Sequence, residues 1–298
     1  MLSGVFAPMV TAFDAEGRLD LESNERIVEH LIAGGVDGIL FSGSTGEFFA
    51  LTLAEKKELT RFAVEAVGGR TSVLVGTGGT VVEEVVELTR YAQEAGADAA
   101  VVISPYYFQL DQESLYRYFA EVARSVELPI LLYNFPDRTA VNLSPGLVLR
   151  LGRDFDSVRG IKDTVDNISH TREIIAAVKP KVPDFTVLSG FDEYLVPNLL
   201  AGGDGLIGGL ANISPSLHVG IYQAYQSGDL AAVDELQKRI NVLMGLYGVS
   251  QPFVGAIKGA VSLVVEGVSP ACRAPAGELT DEQYRAIRGI LAEAGVPH

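Results

Sequence analysis

Tryptophan is absent from this 298-residue chain, and cysteine occurs once, at Cys272. A single cysteine cannot close an intrachain disulfide, so the fold must rest on its core, and the cytoplasm is the expected compartment. Basic residues are scarce, with 23 against 38 acids for a formal net charge of −15. Such a chain repels phosphate backbones and anionic lipid unless basic residues gather locally. The densest clusters are only Lys56-Lys57 and Lys179-Pro180-Lys181, so no nucleic-acid partner is expected. No apolar run approaches the ~20 residues of a bilayer span, and residues 1–13 lack the basic start and cleavage site of a secretory signal. No membrane partner is expected either. The four histidines, His30, His170, His218 and His298, are scattered without the spacing of a metal site. No G-x-x-x-x-G-K-[ST] or G-x-S-x-G pattern occurs, which leaves phosphoryl transfer and serine hydrolysis without support. Gly203-Asp204-Gly205-Leu206-Ile207-Gly208 spells G-x-G-x-x-G, yet it leads into a strand-like run instead of following one, so it is not a nucleotide site.

What is present is apolar material, 48% of residues against 20% charged, enough for a large core. Short β-branched runs recur at residues 5–10, 38–42, 72–76, 99–104, 129–133, 158–162, 185–189 and 205–209. Several are apolar on both faces, as parallel strands are when both sides are covered. Between them lie helical periodicities such as 53–67, 81–95 and 115–126. Thr52 with Glu55 forms a capping box, and Ser144-Pro145 and Ser214-Pro215 look like N-caps followed by proline at the first helical position. Eight alternating units in this length predict a (β/α)₈ TIM barrel over residues 1–228. Residues 229–298 then read as a helical extension packed on the barrel, with helices near 230–247, 252–266 and 281–294, the last opened by a Thr280/Gln283 capping box.

A barrel of this kind carries its chemistry at the carboxyl ends of the strands. Six of the seven lysines fall in helical readings or at exposed corners, whereas Lys162 ends the run Val158-Arg159-Gly160-Ile161. Burial disfavours the charged form of an amine and frees it to attack a carbonyl and form an imine. An ion pair at a strand end is the alternative. Tyr133 ends the adjacent strand and could shuttle protons to such an imine, or simply pack. Gly43-Ser44-Thr45-Gly46 offers hydroxyls and backbone N–H groups to a substrate carboxylate, or merely starts a helix. Arg138 could clamp a second substrate or pair with Asp137. Of Asp192 and Glu193, one is expected to cap the following helix and the other to accept hydrogen bonds from sugar hydroxyls.

Gly43-Ser44-Thr45-Gly46-Glu47, Pro105-Tyr106-Tyr107, Tyr133-Asn134-x-Pro136, Gly160-Ile161-Lys162-Asp163-Thr164 and Gly190-Phe191-Asp192-Glu193, in this order at successive strand ends, resemble the dihydrodipicolinate synthase and N-acetylneuraminate lyase family of class I pyruvate-dependent aldolases. The resemblance spans essentially the whole chain. It implies that Lys162 forms the imine with pyruvate, with no metal or separate cofactor. Tyr133 would be the proton shuttle, and Ser44 and Thr45 the hydroxyls of the relay and carboxylate pocket. Tyr107 would be the tyrosine lent across a tight dimer to the neighbouring site. Gly43, Gly46, Thr164, Gly190 and Gly209 would line the substrate pocket, and a homotetramer built as a dimer of dimers is implied. Arg138 is similar to the arginine that synthases use for aspartate semialdehyde. Against a synthase, Ser44 replaces the threonine usual there, Phe48 and Phe49 replace smaller residues, and Asp192-Glu193 resemble the hydroxyl-binding pair of sugar-acid lyases, while residues 160–167, 185–193 and 202–208 look closest to 2-keto-3-deoxy-sugar-acid aldolases. The substrates implied are therefore a keto acid and an aldehyde. Positions of the lysine-feedback pocket in regulated synthases read Phe49, Lys56, Thr80, Glu84 and Tyr106, without the asparagine and histidines such a pocket uses.

Overall fold

In the computed structural model, which describes residues 2–298, each of the eight apolar runs contributes a strand. These are β1 (Gly4–Pro8), β2 (Gly38–Phe41), β3 (Ser72–Gly76), β4 (Ala99–Ile103), β5 (Ile130–Asn134), β6 (Val158–Asp163), β7 (Thr186–Ser189) and β8 (Gly205–Ile207). All pair in parallel in chain order, and β8 closes on β1. Successive side chains of a strand point to opposite faces, which explains why these runs are apolar on both. Phe6, Leu40, Leu74, Val101, Leu131 and Leu188 fill the barrel interior. Val5, Ile39, Val73, Ala100, Leu132 and Ile161 pack outward under the helices.

Those helices are α1 (Leu21–Ala33), α2 (Leu53–Val67), α3 (Val82–Ala95), α4 (Gln112–Ser125), α5 (Pro136–Thr139), α6 (Pro145–Asp154), α7 (Ile168–Val178), α8 (Leu195–Leu200) and α9 (Pro215–Ser227). The capping boxes at Thr52/Glu55 and Thr280/Gln283 are both closed, and Ser144 accepts from the Leu147 N–H. Ser214 differs, for its side chain makes no capping bond. Its carbonyl lies 2.9 Å from His218 Nδ1, one turn further along the helix.

Beyond α9 come α10 (Leu230–Leu243), α11 (Val254–Val264) and α12 (Asp281–Glu293). The helix expected over 230–247 stops at Leu243, and Met244–Gly248 continues as a tighter 3₁₀ turn. That break lets the chain cross the carboxyl-terminal mouth of the barrel, where Met244, Tyr247 and Phe253 overhang the strand ends. β8 likewise ends at Ile207, two residues before the expected limit, and Gly209–Asn212 forms a 3₁₀ turn over the same mouth. None of the described helices is long and apolar enough to cross a membrane.

Candidate active site

Register decides which side chains meet. β5 and β6 pair with Tyr133 opposite Lys162 and Asn134 opposite Asp163. By strand alternation the first pair points into the barrel and the second outward. Lys162 and Tyr133 are 4% and 5% exposed, and Lys162 Nζ stands 4.3 Å from the centroid of the Tyr133 ring. No acidic side chain among the described residues lies within the 4.0 Å of an ion pair with Lys162. The ion-pair alternative for Lys162 therefore has no partner.

The outward pair is a fastening. Asn134 Nδ2 donates to Asp163 Oδ1 at 2.8 Å, and Thr171 Oγ1 donates to Asp163 Oδ2 at 2.7 Å. His170 Nδ1 is 3.0 Å from that Asp163 oxygen, and its Nε2 is 3.0 Å from the Leu143 carbonyl. Both ring nitrogens face acceptors, which suits the doubly protonated imidazolium. Burial alone would lower the His170 pKa, but the hydrogen bond to Asp163 and its charge outweigh burial, and the net shift is upward. The four histidines looked inert in the sequence, and this one ties α7 to the strand that carries Lys162.

The β2 loop brings Ser44 Oγ to 3.4 Å from the Tyr133 hydroxyl, a long contact for two hydroxyls. Thr45 is buried beside it. Gly46 sits where a Cβ would meet the Met9 carbonyl at 2.8 Å, and its own carbonyl accepts from Thr11 Oγ1. The loop is wound tightly, with the Phe48 N–H donating to the Gly43 carbonyl at 3.2 Å. Four non-glycine residues have left-handed backbones, Ser42, Glu47, Tyr107 and Ala140. All four follow strands at this mouth, where such strain characteristically gathers. Opposite the loop, Thr164 Oγ1 is buried with no hydrogen-bond partner among the described residues. Gly190 faces it so closely that any Cβ there would run into Thr164 Oγ1 and Cα.

Ser44, Thr45, Tyr133, Lys162, Thr164 and Gly190 surround one cavity of about 210 Å³, with Gly209 and Arg138 at its edges. An adjoining cavity of about 380 Å³ continues past Arg138, Phe48, Phe49, Tyr106 and Phe253. Arg138 is exposed, stacks 5.5 Å from the Phe135 ring centroid, and has no acidic partner among the described residues. The pairing with Asp137 considered from the sequence is therefore not formed. A larger groove of about 1180 Å³ runs outside the barrel past α3 and α4, and none of the expected site residues lines it.

Five expected site residues do not line that cavity: Gly43 and Gly46, which belong to the loop behind Ser44 and Thr45, and Tyr107, Glu193 and Asp192. Tyr107 is 86% exposed and packs edge-on against Phe108 at 4.9 Å, away from Tyr133 of its own chain. Glu193 is half-buried and does not line the cavity; burial, then the Asp166 and Asp192 charges, raise its pKa. Asp192 makes no capping bond to the helices that directly follow it and does not line the cavity. It is fully buried and accepts from Leu210 N–H at 3.1 Å and the Tyr247 hydroxyl at 2.8 Å. His218 Nε2 lies 3.1 Å from Asp192 Oδ1, the oxygen that already accepts the Leu210 N–H, but off the hydrogen-bond line. Burial, then the Asp192 charge, drives the Tyr247 pKa well up, so this phenol stays protonated. Tyr247, Gln251 and Phe253 line the cavity and had no signal in the sequence, because nothing local says that the extension folds back over the mouth.

The sequence profile described as "Dihydrodipicolinate synthetase family" matches residues 1–294. The chain belongs to this family. Among relatives, "Putative 2-dehydro-3-deoxy-D-gluconate aldolase YagE" of Escherichia coli (strain K12) is 40% identical over 98% of this chain and 97% of its own. "Probable 2-dehydro-3-deoxy-D-pentonate aldolase YjhH" of the same organism is 39% identical, covering 99% and 98%. A 4-hydroxy-tetrahydrodipicolinate synthase of Methanoculleus marisnigri is 38% identical, covering 99% and 100%. The crystal structure of YagE in complex with pyruvate superposes with a TM-score of 0.97 over 99% of both chains. As a family member, the chain is a class I aldolase or lyase, and its TIM barrel is the family's fold.

Proposed function

We propose that the chain cleaves or forms 2-keto-3-deoxy sugar acids through an imine between pyruvate and Lys162, with residues 1–228 carrying the chemistry and residues 229–298 roofing it. The observation that carries this reading is a buried lysine without an acidic partner, set against a tyrosine ring at the edge of a cavity of about 210 Å³. The pyruvate in the YagE structure and the printed names of YagE and YjhH support it.

In the cleavage direction the Lys162 amine adds to the C2 ketone of the substrate, and loss of water gives the iminium. Tyr133, left as phenolate after giving its proton to the departing hydroxyl in that dehydration, takes the proton from the C4 hydroxyl as the C3–C4 bond breaks. The electron pair flows into the iminium, leaving an enamine, and the aldehyde departs. Protonation at C3 and hydrolysis then release pyruvate and restore the amine. Ser44, Thr45 and the unpartnered Thr164 hydroxyl supply hydrogen bonds to the carboxylate, and Gly43, Gly46, Gly190 and Gly209 allow it close approach. Arg138, at the seam of the two cavities, meets the distal end of the aldehyde. No metal or separate cofactor enters these steps. The exposed Tyr107 suits insertion into a second copy, in a dimer of dimers working in the cytoplasm.

A free arginine at that seam also suits the carboxylate of aspartate semialdehyde, and the printed name of the Methanoculleus relative, a 4-hydroxy-tetrahydrodipicolinate synthase, supports this second reading. A non-catalytic keto-acid binder is a third, against which the complete set of site residues weighs. The test is intact-protein mass after incubation with pyruvate and borohydride, beside Lys162→Ala. A reduced pyruvyl adduct on the parent alone supports the imine, and turnover of deoxy-keto acids against aspartate semialdehyde then chooses the substrate. No adduct on folded protein sinks both enzymatic readings.

A further inference from the structure

A second lysine is buried more deeply than Lys162. Lys258, on α11 of the extension, is 0% exposed, and its ammonium is bonded to the carboxylate of Glu47, also 0% exposed. The remaining contacts are complete. Lys258 Nζ donates to the Ala271 carbonyl at 2.8 Å and lies 4.5 Å from the Phe13 ring centroid. The other Glu47 oxygen accepts the Arg273 N–H at 2.9 Å, while the Arg273 guanidinium holds the Gly17 and Ala50 carbonyls. Two segments of the extension therefore converge on one residue of the β2 loop.

That residue is the strained one. Glu47 has φ 56° and ψ 36°, a conformation in which a side chain bearing a Cβ is disfavoured. Its N–H donates to the Ser44 carbonyl at 3.2 Å, so its backbone angle and the placement of Ser44 and Thr45 are set together. Replacing a buried ion pair by neutral groups of like volume often costs a fold nothing, and in some proteins such a pair is kept because it selects one arrangement over others. We propose that the Glu47–Lys258 pair is a positioning device, by which the extension holds the left-handed turn and so aims the Ser44 and Thr45 hydroxyls at Tyr133 and the cavity.

The inference builds on the proposed role of that loop, and its test has one readout free of it. The variant is Glu47→Gln/Lys258→Met, which removes both charges and keeps the volumes. Leu291→Ala, in the buried face of α12, destabilises the extension without touching Glu47 and serves as control. Amide hydrogen exchange across residues 43–51 is expected to rise at least tenfold in the double variant and to stay near the parent rate in the control. The pyruvate concentration for half-maximal borohydride trapping should rise tenfold or more in the double variant alone. Parent-like exchange in a folded double variant overturns the proposal. So does a rise of the same size in the control, since the effect would then follow stability. Should the double variant not fold, Lys258→Arg, which keeps the charge and shifts the contact, must still raise loop exchange, and an unchanged rate refutes the idea. If the parent itself traps no pyruvate, the proposed function fails, and loop exchange alone decides this inference.

Discussion

Replacing Tyr133 by Phe removes one atom and tests the chemistry more cleanly than any deletion of Lys162. The ring would keep its stacking on Phe135, at 5.9 Å between centroids, and its face toward Lys162 Nζ at 4.3 Å. What is lost is a hydroxyl whose hydrogen-bond partner, Ser44 Oγ, is 3.4 Å away. A bond that long contributes less than the ~1 kcal/mol of an ordinary hydrogen bond, which corresponds to a melting-point shift of no more than about 2–4 °C at this size. The catalytic loss is of another order. Removing a positioned general acid–base costs ~10²–10⁴ in rate, or about 2.7–5.4 kcal/mol of barrier at 1.36 kcal/mol per tenfold. Thermal melts, borohydride trapping with pyruvate, and steady-state cleavage of a deoxy-keto acid make the assay. The expected pattern is near-parent stability, an imine that still forms on Lys162, and kcat reduced by ~10²–10⁴. A folded variant that keeps kcat within about tenfold of the parent would remove Tyr133 from the proton path, since loss of a positioned acid–base should cost more than that.

Gly190→Ala would push a Cβ into Thr164 Oγ1 and Cα, so half-saturation in pyruvate trapping should rise tenfold or more. An unchanged value would mean that Thr164 yields freely and does not hold the ligand. Arg138→Ala should abolish any condensation with aspartate semialdehyde while reducing sugar-acid cleavage only where the distal end is clamped; unimpaired condensation would exclude the second reading. For Tyr107, mixing the inactive Lys162→Ala and Tyr107→Ala proteins under conditions of subunit exchange should restore up to about one quarter of parent activity, because each mixed pair holds one complete site. No recovery would confine Tyr107 to its own chain. His170 predicts a pH effect. Its folded pKa lies above the ordinary 6.5, so its stabilisation is fully present below that value and fades as pH rises through the folded pKa. Urea melts should therefore show the parent's advantage over His170→Asn shrinking from pH 6 toward alkaline pH, and a constant gap would contradict the charged pair with Asp163.

The barrel was legible because its physics is local. A strand covered on both sides must be apolar on both faces, and runs such as residues 99–103 and 130–132 satisfy that without reference to anything distant. The Thr52 and Thr280 capping boxes were legible for the same reason, since donor and acceptor lie three residues apart. Lys162, Tyr133 and Ser44 could be placed together once strand order was known, because Lys162 and Tyr133 lie at strand ends and Ser44 lies in the loop just past one. Asp192 shows where this stops. Its position after β7 marks it as a mouth residue, but the direction of its carboxylate is set by Tyr247, 55 residues onward, and by Leu210 N–H. Tyr247 in turn reaches the site only because the helix after α9 breaks at Leu243 and crosses the mouth. Neither event leaves a mark in the local pattern.

The two buried lysines state the same lesson in energetic form. Reasoning from burial alone would choose Lys258, at 0% exposure, over Lys162, at 4%. Burial taxes every ammonium equally, and what distinguishes the two is how the charge is answered. Lys258 is answered by a carboxylate and a carbonyl, with an aromatic face beside it, so its donors are committed. Lys162 is answered by the Tyr133 ring and by open volume reached by a strained, hydroxyl-bearing loop. An amine can add to a carbonyl only where it can give up its proton and where the carbonyl has room to arrive. In the sequence, Lys258 sits in an ordinary helical stretch, Val254–Val264, and its partner Glu47 is 211 residues away. Its burial was therefore invisible, while the strand-end position of Lys162 was not. A borohydride-reduced adduct mapped to Lys258 instead of Lys162 would overturn this distinction, because it would require the Glu47 pair to open before any carbonyl could enter.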